Sequence, residues 1–288
     1  MQSIDPDTID ACISRATRSG ALQTIRTERA IIEEAGIRFV VRWVSSLSAK
    51  DSARVIAAGH RDPDFNPFLP PENDLTVGSI SDTHLAILNK YPVIERHLLL
   101  ITRNFEDQRV PLGLADFSAL ASTISSLGGL GFYNGGTEAG ASQAHKHLQW
   151  VPDSPDCVSI ETFTAALPAG LAPMSTACHP ALSWKHAFVR LHRAEGSNPT
   201  EAGRAMLAAF RHGAERVGID PDANPMPPYN MLTGNDWMLV LPRSRERYED
   251  ISVNALGFAG SLFVRRPRQI ETVRRMGPLE LLAEVACR

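Results

Sequence analysis

An α+β fold with a largely antiparallel sheet is expected for this 288-residue chain. Two observations predict it. Strand patterns come in pairs close together in sequence while helical patterns stand apart, rather than alternating as in a doubly wound sheet. A glycine loop, Asn134-Gly135-Gly136, also leads into a strand pattern, whereas a Walker loop or a dinucleotide fingerprint would open a helix.

Taken in order, Pro6 to Ala35 reads as helical, with Ile9, Ile13, Leu22, Ile25 and Ile31 at a broken helical period. Ile37 to Val44 is β-branched and aromatic and reads as a strand. Between Asp62 and Pro71 four prolines forbid regular structure and make a stiff loop around Asn66, Pro67 and Phe68. Strands are expected at His84–Asn89 and His97–Thr102, with a turn at Tyr91-Pro92. Phe117, Leu120, Ile124 and Leu127 form the apolar stripe of a helix over Leu114–Leu127. Gly128-Gly129 ends that helix, and a short strand, Leu130–Tyr133, runs into the glycine loop.

A strand carrying His145, His147 and Gln149 follows and stops at Pro152. Residues 153–180 read as a connector between a first part, 1–152, and a C-terminal half, 181–288. In that half Asn198-Pro199 has the chemistry of a helix start, with the helix reaching about Val217. Tyr229–Thr233 and Trp237–Pro242 read as a hairpin around Gly234-Asn235. A strand over Gly257–Val264 and two helices split by Gly277-Pro278 complete the chain.

Composition excludes several function classes. Hydrophobic residues are 43% and charged residues 21%, ordinary for a globular protein. A net charge of −3 supplies no global basic field for nucleic acid. The four cysteines form no Cys-x-x-Cys pair, which fits reduced thiols. Asp5, Asp7 and Asp10 stand where a signal peptide would be basic and then apolar, and no apolar run is long enough for a membrane helix. A cytoplasmic protein that uses neither membrane nor nucleic acid is expected.

The most informative run is Ser142-Gln143-Ala144-His145-Lys146-His147-Leu148-Gln149. In a strand, alternate side chains share a face, about 6.6–7 Å apart. His145, His147 and Gln149 would then line one wall, with Lys146 turned away. A His-x-His pair alone more often marks half a zinc site or ordinary polar residues on a sheet, and the neighbouring glycines, Asn134, Ser142, Gln143 and Gln149 shift that balance. A zinc site needs further ligands, and the neighbourhood offers an amide instead. Backbone N–H groups of a glycine loop beside imidazoles point to phosphate chemistry with a histidine nucleophile. His84 and His97, in other strand segments, read as structural.

On these residues the chain resembles the diadenosine tetraphosphate phosphorylases, also called ATP adenylyltransferases, of the histidine-triad superfamily. The resemblance extends to Asn66-Pro67-Phe68-Leu69-Pro70, His97–Arg103, Tyr229–Thr233, Leu241–Ser244 and Asn254–Gly260, most of the chain. It implies a histidine-triad-like core whose sheet the C-terminal half extends. It makes His147 the nucleophile that takes the adenylyl group and His145 the residue that orients it. Gln149 stands where superfamily hydrolases carry a third histidine. The resemblance puts Asn134, Gly135, Gly136, Ser142 and Gln143 on the phosphates and Asn66 and Phe68 near the nucleoside. It also gives Arg243 a phosphate role and brings Asn230 to the substrate.

The implied reaction is phosphorolysis of diadenosine tetraphosphate to ATP and ADP, and its reverse. Related dinucleotides are expected as further substrates, with no tightly bound cofactor and with magnesium as an expected companion of the nucleotide. A neutral imidazole is nucleophilic at neutral pH, and a covalent nucleotidyl-histidine splits one hard displacement into two. Gln149 can donate to a phosphoryl oxygen but cannot serve as an imidazolium acid, which favours orthophosphate over water as acceptor. A superfamily hydrolase, a hexose-1-phosphate nucleotidyltransferase and a noncatalytic dinucleotide-polyphosphate sensor are the competing readings.

Overall fold

The computed structural model describes residues 4–44, 65–154, 159–191 and 198–288. Asp62 to Asp64 of the proline-rich loop and residues 155–158 of the connector lie outside them. Helix α1 (Pro6–Ser19) begins where Asp5 accepts from the Thr8 N–H at 2.8 Å, and ends at Gly20 in the left-handed region (φ 76). The helical reading of the next residues is wrong. Strand β1 (Thr27–Glu34) pairs antiparallel with β2 (Ile37–Val44) over its whole length, from Thr27↔Val44 to Glu34↔Ile37. Ala35 and Gly36 make the turn, both at positive φ (52 and 77), the geometry a two-residue hairpin needs. Glu28, Arg29, Glu33 and Glu34 are good helix formers, but pairing with β2 overrides that local preference.

The main sheet is built from β3 (Thr76–Ser79), β4 (His84–Leu88), β5 (Leu98–Thr102), β6 (Leu130–Gly135), β7 (His147–Val151), β8 (Thr176–Ala177), β9 (Ala187–Arg190), β10 (Tyr229–Thr233) and β11 (Trp237–Pro242). Its nine strands run in the order β3-β4-β5-β7-β6-β10-β11-β9-β8. Every neighbouring pair is antiparallel, as the sequence predicts. The later part of the chain joins at β6–β10, in register from Tyr229↔Gly135 to Thr233↔Gly131. Beyond the sheet come a small hairpin, β12 (Arg247–Tyr248) with β13 (Ile251–Ser252), and β14 (Ser261–Val264), which pairs parallel with β2. The strand expected from Gly257 is shorter because Ala255–Ala259 form a 3-10 turn, closed by Gly260 at φ 77.

Helices α2 (Leu114–Leu127) and α4 (Pro199–Arg216) cover one face of the sheet, and α3 (Glu161–Thr164) is a single turn within the expected connector. Asn198 caps α4 reciprocally with Glu201, accepting from the Thr200 and Glu201 N–H groups at 3.1 and 3.0 Å. The two long helices approach closely at Gly203, where a Cβ would stand 2.5 Å from Ser118 Oγ. Phe117, Leu120, Leu148, Phe210 and Met231 fill the core beneath them. The opposite face packs Phe132 and Leu239 against Phe39, Phe258 and Leu282, where α5 (Arg268–Met276) and α6 (Pro278–Val285) close the structure. Phe68, Ile87, Leu99 and Ile101 form a third, smaller cluster under one end of this second face. Among the described residues no helix is long and apolar enough to cross a membrane.

Candidate active site

Strand parity divides β7 between two environments. Leu148 joins the core under the helices, while His147 and Gln149 face a cleft of about 340 Å³ on the Phe68 side. Lys146 extends toward the helices as expected, with Nζ 2.9 Å from Glu106, 3.1 Å from the Pro111 carbonyl and 3.3 Å from Asp116. Burial alone would raise the Asp116 carboxyl, but its contacts with His84 and Lys146 hold it below its ordinary value. His84, 3.1 Å from Asp116, is therefore part of the scaffold.

His147 is 3% exposed, and its Nδ1 lies 2.8 Å from the backbone carbonyl of His145. A carbonyl only accepts, so Nδ1 carries the proton and Nε2 keeps its lone pair. Burial, partly offset by that hydrogen bond, pushes the ring's pKa down to about 4. The imidazole is thus neutral at physiological pH, with one nitrogen tethered and the other available to an electrophile.

His145 is placed differently from the sequence expectation. The strand begins only at His147, and His145 makes an isolated bridge with Asp107. Its ring does not line the cleft wall. Asn66 Oδ1 accepts from the Phe68 N–H at 2.9 Å, so its Nδ2 is the group that donates to His145 Nδ1, also at 2.9 Å. His145 Nε2 then donates to the Thr102 carbonyl at 2.8 Å. The ring locks the backbone, and the backbone carbonyl orients the nucleophile. Asn66 acts through His145 and is not part of the cleft wall, whereas Phe68 is, with its ring edge-on to both histidines.

Ser142 and Gln143 line the cleft beside Gly140. Gly135 and Gly136 do not. The Tyr229 ring packs against Gly135 so closely that a Cβ would sit 2.5 Å from it, and Gly136 is needed for its φ of 103. These glycines shape the turn instead of presenting N–H groups in the cleft wall. Asn134 does reach the cleft. Its Oδ1 accepts from Asn230 Nδ2 and from the Ala255 N–H, both at 2.9 Å, leaving the NH2 as its unused group among the described residues.

Arg243, expected on the phosphates, does not line the cleft and is engaged by the scaffold. It is 3% exposed, and its guanidinium donates to the carbonyls of Val285, Ala139, Arg245 and Val253 and to Asn230 Oδ1 at 2.5 Å. Burial pushes its pKa down to about 9. Asn230, with no exposed surface, passes this restraint to Asn134 and does not line the cleft.

Further contributors escaped the sequence reading. His97 lines the cleft, and its Nε2 lies 3.0 Å from Gln149 Oε1. Asn254 reaches it from the C-terminal part, packed against Gly140. Lys90, paired with Glu72 at 2.6 Å, brings a cation to the same cleft. The scarcity of lysine, four in the chain, is the only sequence signal that could have drawn attention to Lys90.

Residues 3–164 match the family model described as the Ap4A phosphorylase N-terminal domain, and residues 180–288 match the ATP adenylyltransferase C-terminal domain. Diadenosine 5',5'''-P1,P4-tetraphosphate phosphorylase 2 of Saccharomyces cerevisiae is 24% identical, over 90% of this chain and 86% of that protein. Protein APA1 of the same yeast is also 24% identical, over 86% and 82%. The fold is that of the yeast Ap4A phosphorylase Apa2, whose crystal structure in complex with Ap4A matches with a TM-score of 0.78 at 21% identity, covering 99% of this chain and 98% of that one. With the two domain models together spanning most of its length, the chain belongs to the Ap4A phosphorylase family.

Proposed function

We propose that this protein cleaves diadenosine tetraphosphate by phosphorolysis, giving ATP and ADP, and runs the reverse adenylyl transfer, through an adenylyl group carried on His147. The observation that carries this reading is the His147 ring: Nδ1 held by the His145 carbonyl at 2.8 Å, and the other nitrogen on a side chain that lines the cleft. In the first step the Nε2 lone pair attacks the α-phosphorus in line, the bond to the bridging oxygen breaks, and ATP leaves. The adenylylated ring is cationic, and its Nδ1–H remains on the carbonyl. In the second step an orthophosphate oxygen attacks the same phosphorus, the P–N bond breaks, and ADP leaves with His147 neutral again.

Ser142, Gln143, the Asn134 amide and Gln149 supply donors where charge accumulates on the phosphoryl oxygens. Preorganised donors of this kind contribute about 3 kcal/mol each. Lys90 adds a cation that the polyphosphate can engage. Magnesium would accompany the nucleotide and would supply charge neutralisation on its phosphates, since the described residues offer no cluster of three or more His, Cys, Asp or Glu side chains to hold it. A cytoplasm, with its ATP, phosphate and reduced thiols, is the compartment that suits this chemistry.

The test is product analysis from diadenosine tetraphosphate with and without phosphate. ATP plus ADP, dependent on phosphate, is expected. AMP plus ATP at an equal rate without phosphate would make the protein a hydrolase, and exchange with UDP-sugars would make it a hexose-1-phosphate nucleotidyltransferase. Incubation with ATP labelled at the α-phosphate should leave acid-labile label on wild type and none on His147→Ala. Tight nucleotide binding with no label on wild type would mean a sensor.

A further inference from the structure

A glutamine amide in an active site can face its substrate with oxygen or with nitrogen, and the two present opposite polarity to a phosphoryl group. Which one Gln149 presents is decided by a chain of hydrogen bonds that begins at a backbone group. The Tyr91 N–H can only donate, and it lies 3.1 Å from Asn89 Oδ1. The other arm of Asn89 is therefore its NH2, 3.1 Å from His97 Nδ1. A ring nitrogen facing an NH2 must accept. A neutral imidazole has one donor and one acceptor, so His97 carries its proton on Nε2, which is 3.0 Å from Gln149 Oε1. This bond turns the Gln149 carbonyl oxygen toward His97. Among the described residues both hydrogens of its NH2 remain, on a side chain that lines the cleft with His147.

We propose that His97, held as the Nε2–H tautomer by Asn89, is the positioning residue that turns the Gln149 NH2 toward the reacting phosphoryl group. This rests on the phosphorolysis reading above. Rigid anchoring supports it: the Asn89 N–H also bonds the His97 carbonyl at 2.9 Å, and the His97 ring stacks at a tilt on Phe132, 5.7 Å between centroids. Burial pushes the His97 pKa to about 4, so a second proton, which would set N–H against NH2 at Asn89, is not taken up at neutral pH. The opposite tautomer would require Asn89 to turn its NH2 toward the Tyr91 N–H. With His97 removed, nothing distinguishes the two ends of the Gln149 amide, and its oxygen can face an anionic substrate.

The experiment has a spectroscopic and a kinetic arm, both on the full chain. In wild type labelled with 15N-histidine, His97 should show a protonated Nε2 and a bare Nδ1 at pH 7; the reverse tautomer, or an imidazolium, overturns the proposal. His97→Met keeps volume and removes the donor. It should lower kcat for phosphorolysis about 10- to 100-fold with KM within about threefold, and combining it with Gln149→Met should add little to either single loss. Additive losses overturn the proposal. If His97→Met does not fold, the tautomer measurement on wild type decides alone. Absence of ATP and ADP formation by wild type would instead sink the functional reading, which the NMR arm does not depend on.

Discussion

The side-chain carbonyl of Gln108 accepts from the backbone N–H of His147 at 2.8 Å, and its NH2 reaches the carbonyls of Asn134 and His147 at 2.9 and 3.3 Å. Strands β6 and β7 are paired only from Leu130↔Val151 to Phe132↔Gln149. Where the ladder would continue to Asn134 and His147, a side-chain amide stands in for a neighbouring peptide. The two strands part at the nucleophile without leaving its backbone groups unbonded. Replacing Gln108 with Leu should therefore cost about 2–4 kcal/mol in urea unfolding, since buried N–H and C=O groups lose partners. The kcat of the surviving folded protein should fall as well. Unchanged stability would show that the strands re-pair without it.

Two buried rings make stability depend on pH. His97 and His147 are each pushed to about 4, whereas an unfolded histidine titrates near 6.5. Below about 6.5 the unfolded chain takes up protons that the folded protein refuses. Their contribution is therefore complete above that pH and is lost as pH falls toward 4, by up to about 1.4 kcal/mol per pH unit for each ring. Chemical denaturation at pH 7, 6 and 5 should show this decline, and a flat profile would contradict it. Adenylylation in a single turnover, which needs only a neutral His147, should hold its rate down to about pH 5.

Arg243 distinguishes a scaffold cation from a substrate cation. Arg243→Met leaves Asn230 Oδ1 and several buried carbonyls without donors, so a loss of about 3–5 kcal/mol is expected. Nucleotide Kd, measured below the lowered Tm, should stay within about threefold. An unchanged Tm with a large rise in Kd would return Arg243 to the phosphates.

Gly135→Ala is expected to strain the Tyr229 contact, where a Cβ would stand 2.5 Å from the ring. Overpacking of a buried aromatic costs about 1–3 kcal/mol. Because Gly135 is not part of the cleft wall, calorimetric affinity for AMP should be nearly that of wild type. Selective loss of affinity at full stability would mean that its N–H does approach the nucleotide.

Local signals were legible from the sequence alone. The capped start of α4 at Asn198-Pro199, the bounds of α2, the hairpin from Tyr229 to Pro242 and the common face of His147 and Gln149 each depend on residues within a few positions of one another. Caps, helical period and strand alternation are short-range properties, so one segment carries the whole message. What only the tertiary structure decided involves partners distant in the chain. Thr27–Glu34 became a strand because the chain folds back onto Ile37–Val44, which in turn lies beside Ser261–Val264. His145 left the strand wall because Thr102 and Asn66 hold its ring. His97 entered the site because β5 lies next to β7, and Arg243 is held outside the cleft wall because six acceptors close around its guanidinium. Whether a polar side chain meets substrate or scaffold is set by which buried partners already satisfy it, and that is fixed only when the sheets and helices have packed.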